Sequence, residues 1–208
     1  MARGYGGVPP EQRRAERREK LLTAALELFT SRGYQQSKIT ELCALAGVST
    51  RNFYEEFAGK EQVLLNLHAR INTLAMDHVV AVVEKLADAE PVTRIFQLLD
   101  AFVASVTSDP RLPRLNYVEA VGVSAELEAQ HQEWVDQWAA FIEAEAEHAA
   151  QAGLAPRRNF RLTSIALVGA ATGLLREWQA HDPPLPADQV AEELRGLMLA
   201  GITRKPVR

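Results

Sequence analysis

An all-α fold of about nine helices is what this 208-residue chain predicts. Three observations carry the prediction. Apolar residues recur at three- and four-residue spacing along most of the sequence, no segment alternates apolar and polar residues as a half-buried strand would, and turn-forming Gly and Pro clusters separate the periodic stretches.

Gly4, Gly6, Gly7, Pro9 and Pro10 crowd residues 1–10, which read as a mobile tail. From Glu11 the chain turns helical: Leu21, Leu22, Ala25, Leu28 and Phe29 mark one buried face, and Arg32-Gly33 ends it. Two short helices follow, near 37–46 and 49–56. After Gly59, the residues Val63, Leu64, Leu67, Ile71, Leu74, His78 and Val82 trace one long helix. Pro91 suits the first turn of the next helix, whose inner face is Ile95, Leu98, Leu99, Phe102 and Val106 and whose end is Asp109-Pro110. A shorter helix is expected over 113–121. Ser124 can cap another long one containing Leu127, Trp134, Trp138, Phe141 and Ile142, with Gly153 and Pro156 beyond its end. The last two helices, about 158–180 and 187–202, are separated by the breaker HDPPLP.

Composition narrows the class of protein. An apolar share of 47% and a charged share of 24% are those of a soluble globular chain, and the longest apolar runs fall short of the ~18 residues a membrane span needs. The N-terminal stretch lacks the apolar core of a secretory signal, so export is not expected. The single cysteine, Cys43, excludes an internal disulfide framework and fits a reducing cytoplasm. The net charge of −4 is unevenly placed: residues 1–60 hold ten Lys/Arg against seven Asp/Glu, residues 61–208 thirteen against twenty. A basic head on an acidic body is the distribution of a DNA-contacting module joined to a different kind of domain.

The stretch 37–60, SKITELCALAGVSTRNFYEEFAGK, supplies the geometry for such a module. Ser37 can cap a helix with inner face Ile39, Leu42, Cys43 and Ala46, Gly47 provides the left-handed residue that ends it, and Ser49 can cap a second helix. Phe53 and Phe57, four apart, face inward. Thr50, Arg51, Asn52 and Tyr54 then face outward at the N-terminal end of the second helix, the layout of a helix-turn-helix. Arginine grips guanine and asparagine grips adenine bidentately, while a threonine methyl meets that of thymine. Tyr54, the hydroxyls of Ser37, Thr40 and Ser49, and the ammonium groups of Lys38 and Lys60 suit phosphate contacts. Spacing alone leaves open a plain helical hairpin with solvated polar residues.

The run I39-x-x-L42-x-x-x-A46-G47-V48-S49-x-x-x-F53-Y54-x-x-F57-x-x-K60-E61, preceded by a helix ending F29-T30-S31-R32-G33-Y34, resembles the DNA-binding domain of the TetR (tetracycline-repressor) regulators over about residues 15–65. The resemblance implies a cytoplasmic homodimer whose helical body binds a small-molecule effector and controls two DNA-reading heads on a two-fold symmetric double-stranded operator, usually as a repressor. It also implies that Lys38, Thr40, Ser49, Thr50, Arg51, Asn52, Tyr54 and Lys60 contact DNA. On that view residues 11–60 form a three-helix DNA-binding domain and residues 61–208 a ligand-binding and dimerisation domain. Two positions depart from the family pattern. Cys43 replaces the usual alanine and reads as a small core residue. Glu56 stands where the family often places histidine or tyrosine against phosphate; its expected partner is Lys60, four residues on, or a cytosine amino group.

Arg13, Arg14, Arg17, Arg18 and Lys20 cluster near the start of the first helix, where cations oppose the helix dipole. An outside phosphate would explain them, and so would helix-surface pairs such as Glu16 with Lys20. In the body, His68, Phe96, Phe102, Tyr117, Glu119, Trp134 and Trp138, together with Asn72, Asn116 and Phe141, suit a ligand pocket or plain core packing. Gly169 and Gly173, one turn apart, with Leu174, Leu194, Leu197 and Met198, read as a dimer interface of two helices from each subunit, the alternative being an intramolecular core. No nucleophile elbow, phosphate-binding glycine loop or H-E-x-x-H run is present, so no enzyme, cofactor or metal is expected. The competing functional reading is a helical small-molecule-binding or adaptor protein with a weakened DNA head.

Overall fold

The computed structural model describes residues 9–181 and 185–205. Of the expected tail, residues 1–8 lie outside the described residues, as do 182–184 of the HDPPLP breaker. Among the described residues the chain is all-helical, and none of its helices is long and apolar enough to cross a membrane. Two compact units divide it, Met1–His68 and Ala69–Arg208. The division falls inside a long helix rather than at its start.

In the first unit, α1 spans Pro10–Arg32 and so begins one residue before the expected Glu11, because proline fits a helix first turn. Its last turn closes on Gly33, φ 93°, whose N–H donates to the Phe29 carbonyl. The helix α2, Ile39–Ala46, begins later than expected: Ser37 is buried and its Oγ donates to the Gly33 carbonyl at 2.7 Å. Lys38 takes the cap position instead, its backbone N–H held by the Glu41 carboxylate at 3.1 Å. Gly47 ends α2 in the left-handed region at φ 63°, ψ 33°, a conformation costly for any residue with a Cβ. The helix α3, Thr50–Glu56, starts from Ser49, whose side chain accepts the Asn52 N–H at 3.2 Å. Seven residues make too short a helix to persist alone, so packing must hold it. That packing is Leu21, Leu22, Ala25 and Phe29 from α1, Leu42 and Cys43 from α2, and Phe53 and Phe57, all buried. The helix α4, Lys60–Lys85, runs on from there.

In the second unit α5 spans Pro91–Thr107, with the Glu90 carboxylate accepting from the Val92 and Thr93 N–H groups. The expected helix over 113–121 is instead α6, Arg111–Arg114, running directly into a π-helical turn, Leu115–Glu119. Such turns insert an extra residue per turn and gather at functional sites. The helix α7 spans Ala125–Gln151 behind the Ser124 cap, α8 spans Arg161–Ala180 and α9 spans Ala187–Thr203. The start of α8 lies three residues beyond the expected one, where Asn159 Oδ1 accepts the Arg161 N–H. α8 packs on α7 and α9, and α5 on α9. Their shared core includes Ile95, Leu99, Val103, Leu175, Trp178, Val190, Leu194 and Ile202.

Candidate functional site

The N-terminal end of α3 presents its polar residues outward. Thr50, Arg51 and Tyr54 are exposed and Asn52 half-buried, while Phe53 on the opposite side has no exposed surface. The Arg51 side chain is 90% exposed, with only a loose 3.7 Å approach to Glu55. Lys38, Thr40 and Ser49 are exposed beside them at the ends of α2 and α3. Burial pushes the Cys43 thiol above its ordinary pKa, with a hydrogen bond to Thr50 partly offsetting it. A buried, protonated thiol tying α2 to α3 is a packing group and a poor redox reagent.

Lys60 departs from expectation. Its Nζ donates to the carbonyls of Tyr34, Gln35 and Ser37 at 2.9, 3.4 and 3.2 Å and sits 4.4 Å from the Tyr34 ring centre. The ammonium therefore ties the start of α4 to the loop before α2 rather than standing open to phosphate.

Glu56 departs further. Its side chain is fully buried and points to α1, not to Lys60. Arg14 Nε donates to Oε2 at 3.0 Å, and Arg17 donates to Oε1 from Nε at 3.0 Å and from Nη2 at 2.5 Å. Arg18 donates to the Glu56 backbone carbonyl at 3.2 Å and stacks 4.3 Å over the Phe57 ring. Burial alone would raise the Glu56 pKa, but the hydrogen bonds and charges of Arg17 and Arg14 outweigh it and hold the carboxyl below its usual range. Three of the five clustered cations of α1 thus have an intramolecular partner, which sequence spacing had no means of naming.

The second unit contains a cavity lined by α4, α5, α7, α8, α9 and the π-helical turn. Its volume is about 90 Å³ on a measure where one water needs roughly 10–15 Å³, so it has the size for a small organic molecule. Of the expected ligand residues, Phe102, Tyr117, Trp134 and Trp138 line it, as do Asn72, Asn116 and Phe141. His68 does not: it is buried in the first unit. Phe96 packs against the core with Arg195 5.8 Å from its ring centre, and Glu119 pairs with Arg114 at 3.3 Å; neither lines the cavity. The wall is aromatic, with Phe102 and Phe141 set edge-on to Trp138 at 5.0 and 6.3 Å. Its polar groups include Asn72, whose Nδ2 donates to Asn116 Oδ1 at 2.9 Å, and Tyr117, whose pKa burial pushes up to about 12 against a smaller opposing hydrogen bond from Asn116. Glu145 also lines it, with its carboxylate gripped bidentately by Arg94 at 2.6 and 2.9 Å. Among the described residues, the lining holds no lysine or arginine. Sequence reasoning missed His131, Thr172, Glu145 and Met198, because a single polar or flexible residue on an apolar helix looks the same whether it faces a cavity or a neighbour.

The expected interface residues divide. Gly169 and Gly173 are exposed on α8, and a Cβ added to either would meet nothing within 4 Å. Leu162, 80% exposed, and Ile165 continue that stripe, and Leu197 is exposed on α9. Leu194 instead is buried in its own chain, and Leu174 and Met198 pack against the same core, with Met198 facing the cavity. The inner face of α8 closes on α7 and α9, and that of α9 on α5 and α8, which accounts for the packing of these three side chains within one chain.

Comparison with known proteins falls on these features. Residues 21–67 match the family of bacterial regulatory proteins designated tetR. Over 200 residues the chain is 26% identical to the HTH-type transcriptional activator FasR of Mycolicibacterium smegmatis, covering 93% of this chain and 86% of FasR. The fold is similar to that of the transcriptional regulator FadR of Bacillus subtilis, solved with stearoyl-CoA, at TM-score 0.74 and 17% identity over 88% of this chain and 98% of FadR. It is also similar to AibR, solved with isovaleryl coenzyme A and operator DNA, at TM-score 0.69 and 22% identity over 86% of this chain and 96% of AibR. Residues 21–67 thus match the tetR family of bacterial regulatory proteins, and the chain as a whole shares the all-helical fold of FadR and AibR.

Proposed function

We propose that this regulator acts as a cytoplasmic homodimer, reads a two-fold symmetric operator with the N-terminal end of α3, and represses until a small molecule in the body cavity releases it. The observation that carries the DNA reading is the exposure of Thr50, Arg51 and Tyr54, beside the half-buried Asn52, on a helix seated by Phe53. Lys38, Thr40 and Ser49 are the proposed phosphate contacts, with Lys60 holding the loop between them. The exposed apolar stripe Leu162, Ile165, Gly169 and Gly173, with Leu197, supports the dimer, since small residues allow close helix approach and a stripe of this kind is normally covered. The aromatic cavity supports an effector whose inserted part is apolar and uncharged with one hydrogen-bonding group for the Asn72–Asn116 pair, since among the described residues no lysine or arginine lines it to receive an anion. That FadR and AibR were solved with acyl-CoA molecules makes acyl groups the first effectors to try.

Arg51→Ala tests the reading. By fluorescence anisotropy on the DNA flanking the gene, it is expected to cost about 1–3 kcal/mol at one base position while leaving the salt dependence nearly intact. An unchanged affinity would favour an adaptor with a vestigial head. FasR is named an activator, so the direction of control is read separately: expression of the target gene rises on deleting a repressor and falls on deleting an activator.

A further inference from the structure

The helix that carries the reading edge is only seven residues long, and its C-terminal turn is fastened by a carboxylate with no exposed surface. Glu56 receives three hydrogen bonds, from Arg14 and Arg17, across 42 and 39 positions of chain, while Arg18 holds its backbone carbonyl and reaches Asn66 Oδ1 at 2.5 Å. A looser chain continues to the reading edge: Arg17 lies 3.6 Å from Glu55, and Glu55 lies 3.7 Å from Arg51. A buried acid cannot act on phosphate directly, and a two-turn helix has no stiffness of its own against rotation on Phe53. Guanidinium hydrogen bonds are directional, so one from Arg14 on Oε2 and two from Arg17 on Oε1 define an angle as well as a distance.

We propose that Glu56 is a positioning residue for DNA reading. By gripping Arg14 and Arg17 it fixes the rotation of α3 on α1, and so sets which bases Arg51 and Asn52 meet. It controls discrimination between sequences rather than general attraction to DNA. This rests on the DNA-reading role above and adds a residue that touches no base.

The test compares the full chain with Glu56→Gln on its preferred duplex and on a scrambled duplex of the same length, below the melting temperature of both proteins. Glu56→Gln is expected to reduce the preference by about tenfold or more, the scale of one lost base contact, while scrambled DNA binds as well or better because a negative charge has gone. Arg17→Gln added to Glu56→Gln should cost little further, since both changes break one unit. A folded Glu56→Gln protein with unchanged preference would overturn the inference, leaving the cluster a stability device. Tighter binding to both duplexes in equal measure would overturn it too, because the acid would then merely moderate affinity. Should Glu56→Gln fail to fold, Arg17→Lys, which keeps the cation and loses the fork, carries the same two outcomes. An unaltered chain with no preference between the duplexes would defeat the DNA-reading role itself.

Discussion

Glu145→Ala is expected to destabilise the body by about 3–5 kcal/mol, measured by chemical denaturation followed by circular dichroism. Arg94 and Glu145 side chains are only 11% and 14% exposed, and they meet through two hydrogen bonds. Arg94 Nη1 also donates to the carbonyls of Val83 and Leu86, at 3.3 and 2.8 Å, closing the C-terminal turn of α4. The hydrogen bonds Arg94 donates to Glu145 raise its already high pKa, and an arginine without such a partner still titrates far above neutral pH, so the guanidinium stays charged when Glu145 is removed. Truncating the acid thus leaves a buried cation unmatched, which is why the loss exceeds that of an exposed ion pair several-fold. A double variant, Arg94→Met with Glu145→Leu, should recover much of the stability. Equal instability in the double variant would mean that the pair serves packing shape more than charge balance.

Phe53→Ala is the corresponding change in the head. The ring has no exposed surface, lies 5.9 Å from Phe57 and is the main anchor of a helix too short to stand alone. A loss of about 3–5 kcal/mol is expected from the transfer and cavity effects together. Hydrogen exchange should show the α3 amides losing protection before those of α8, and specific DNA affinity falling with them. Protection retained in α3 would place its anchor elsewhere, with the Glu56 cluster the leading candidate.

What the sequence made legible was local. Gly47, Ser49, Pro91 and Ser124 each announce a helix end through their own backbone or side-chain chemistry, and each performs that role. The periodic faces of α1 and α5 were readable for the same reason. Ser37 misled because a serine before an apolar run signals a cap whether or not a nearer carboxylate, here Glu41, supplies one. Lys60 and Glu56 misled more seriously. Four-residue spacing made them look like partners, whereas Lys60 joins carbonyls 23 to 26 positions away and Glu56 joins arginines 39 and 42 positions away. The Arg94–Glu145 pair, 51 positions apart, left no local trace at all. Likewise the cavity was legible as a surplus of aromatics but not in its membership: Phe96 and Phe102 are both α5 phenylalanines with a half-buried ring, and only Phe102 lines it.

The most direct measurement of whether α3 reads DNA is selection of bound duplexes from a random pool by the full chain, repeated at rising salt. Enrichment of one sequence with two half-sites related by a two-fold axis, bound with affinity that falls steeply as salt rises, is the predicted result. A pool that stays unenriched, or binding indifferent to salt, would contradict it.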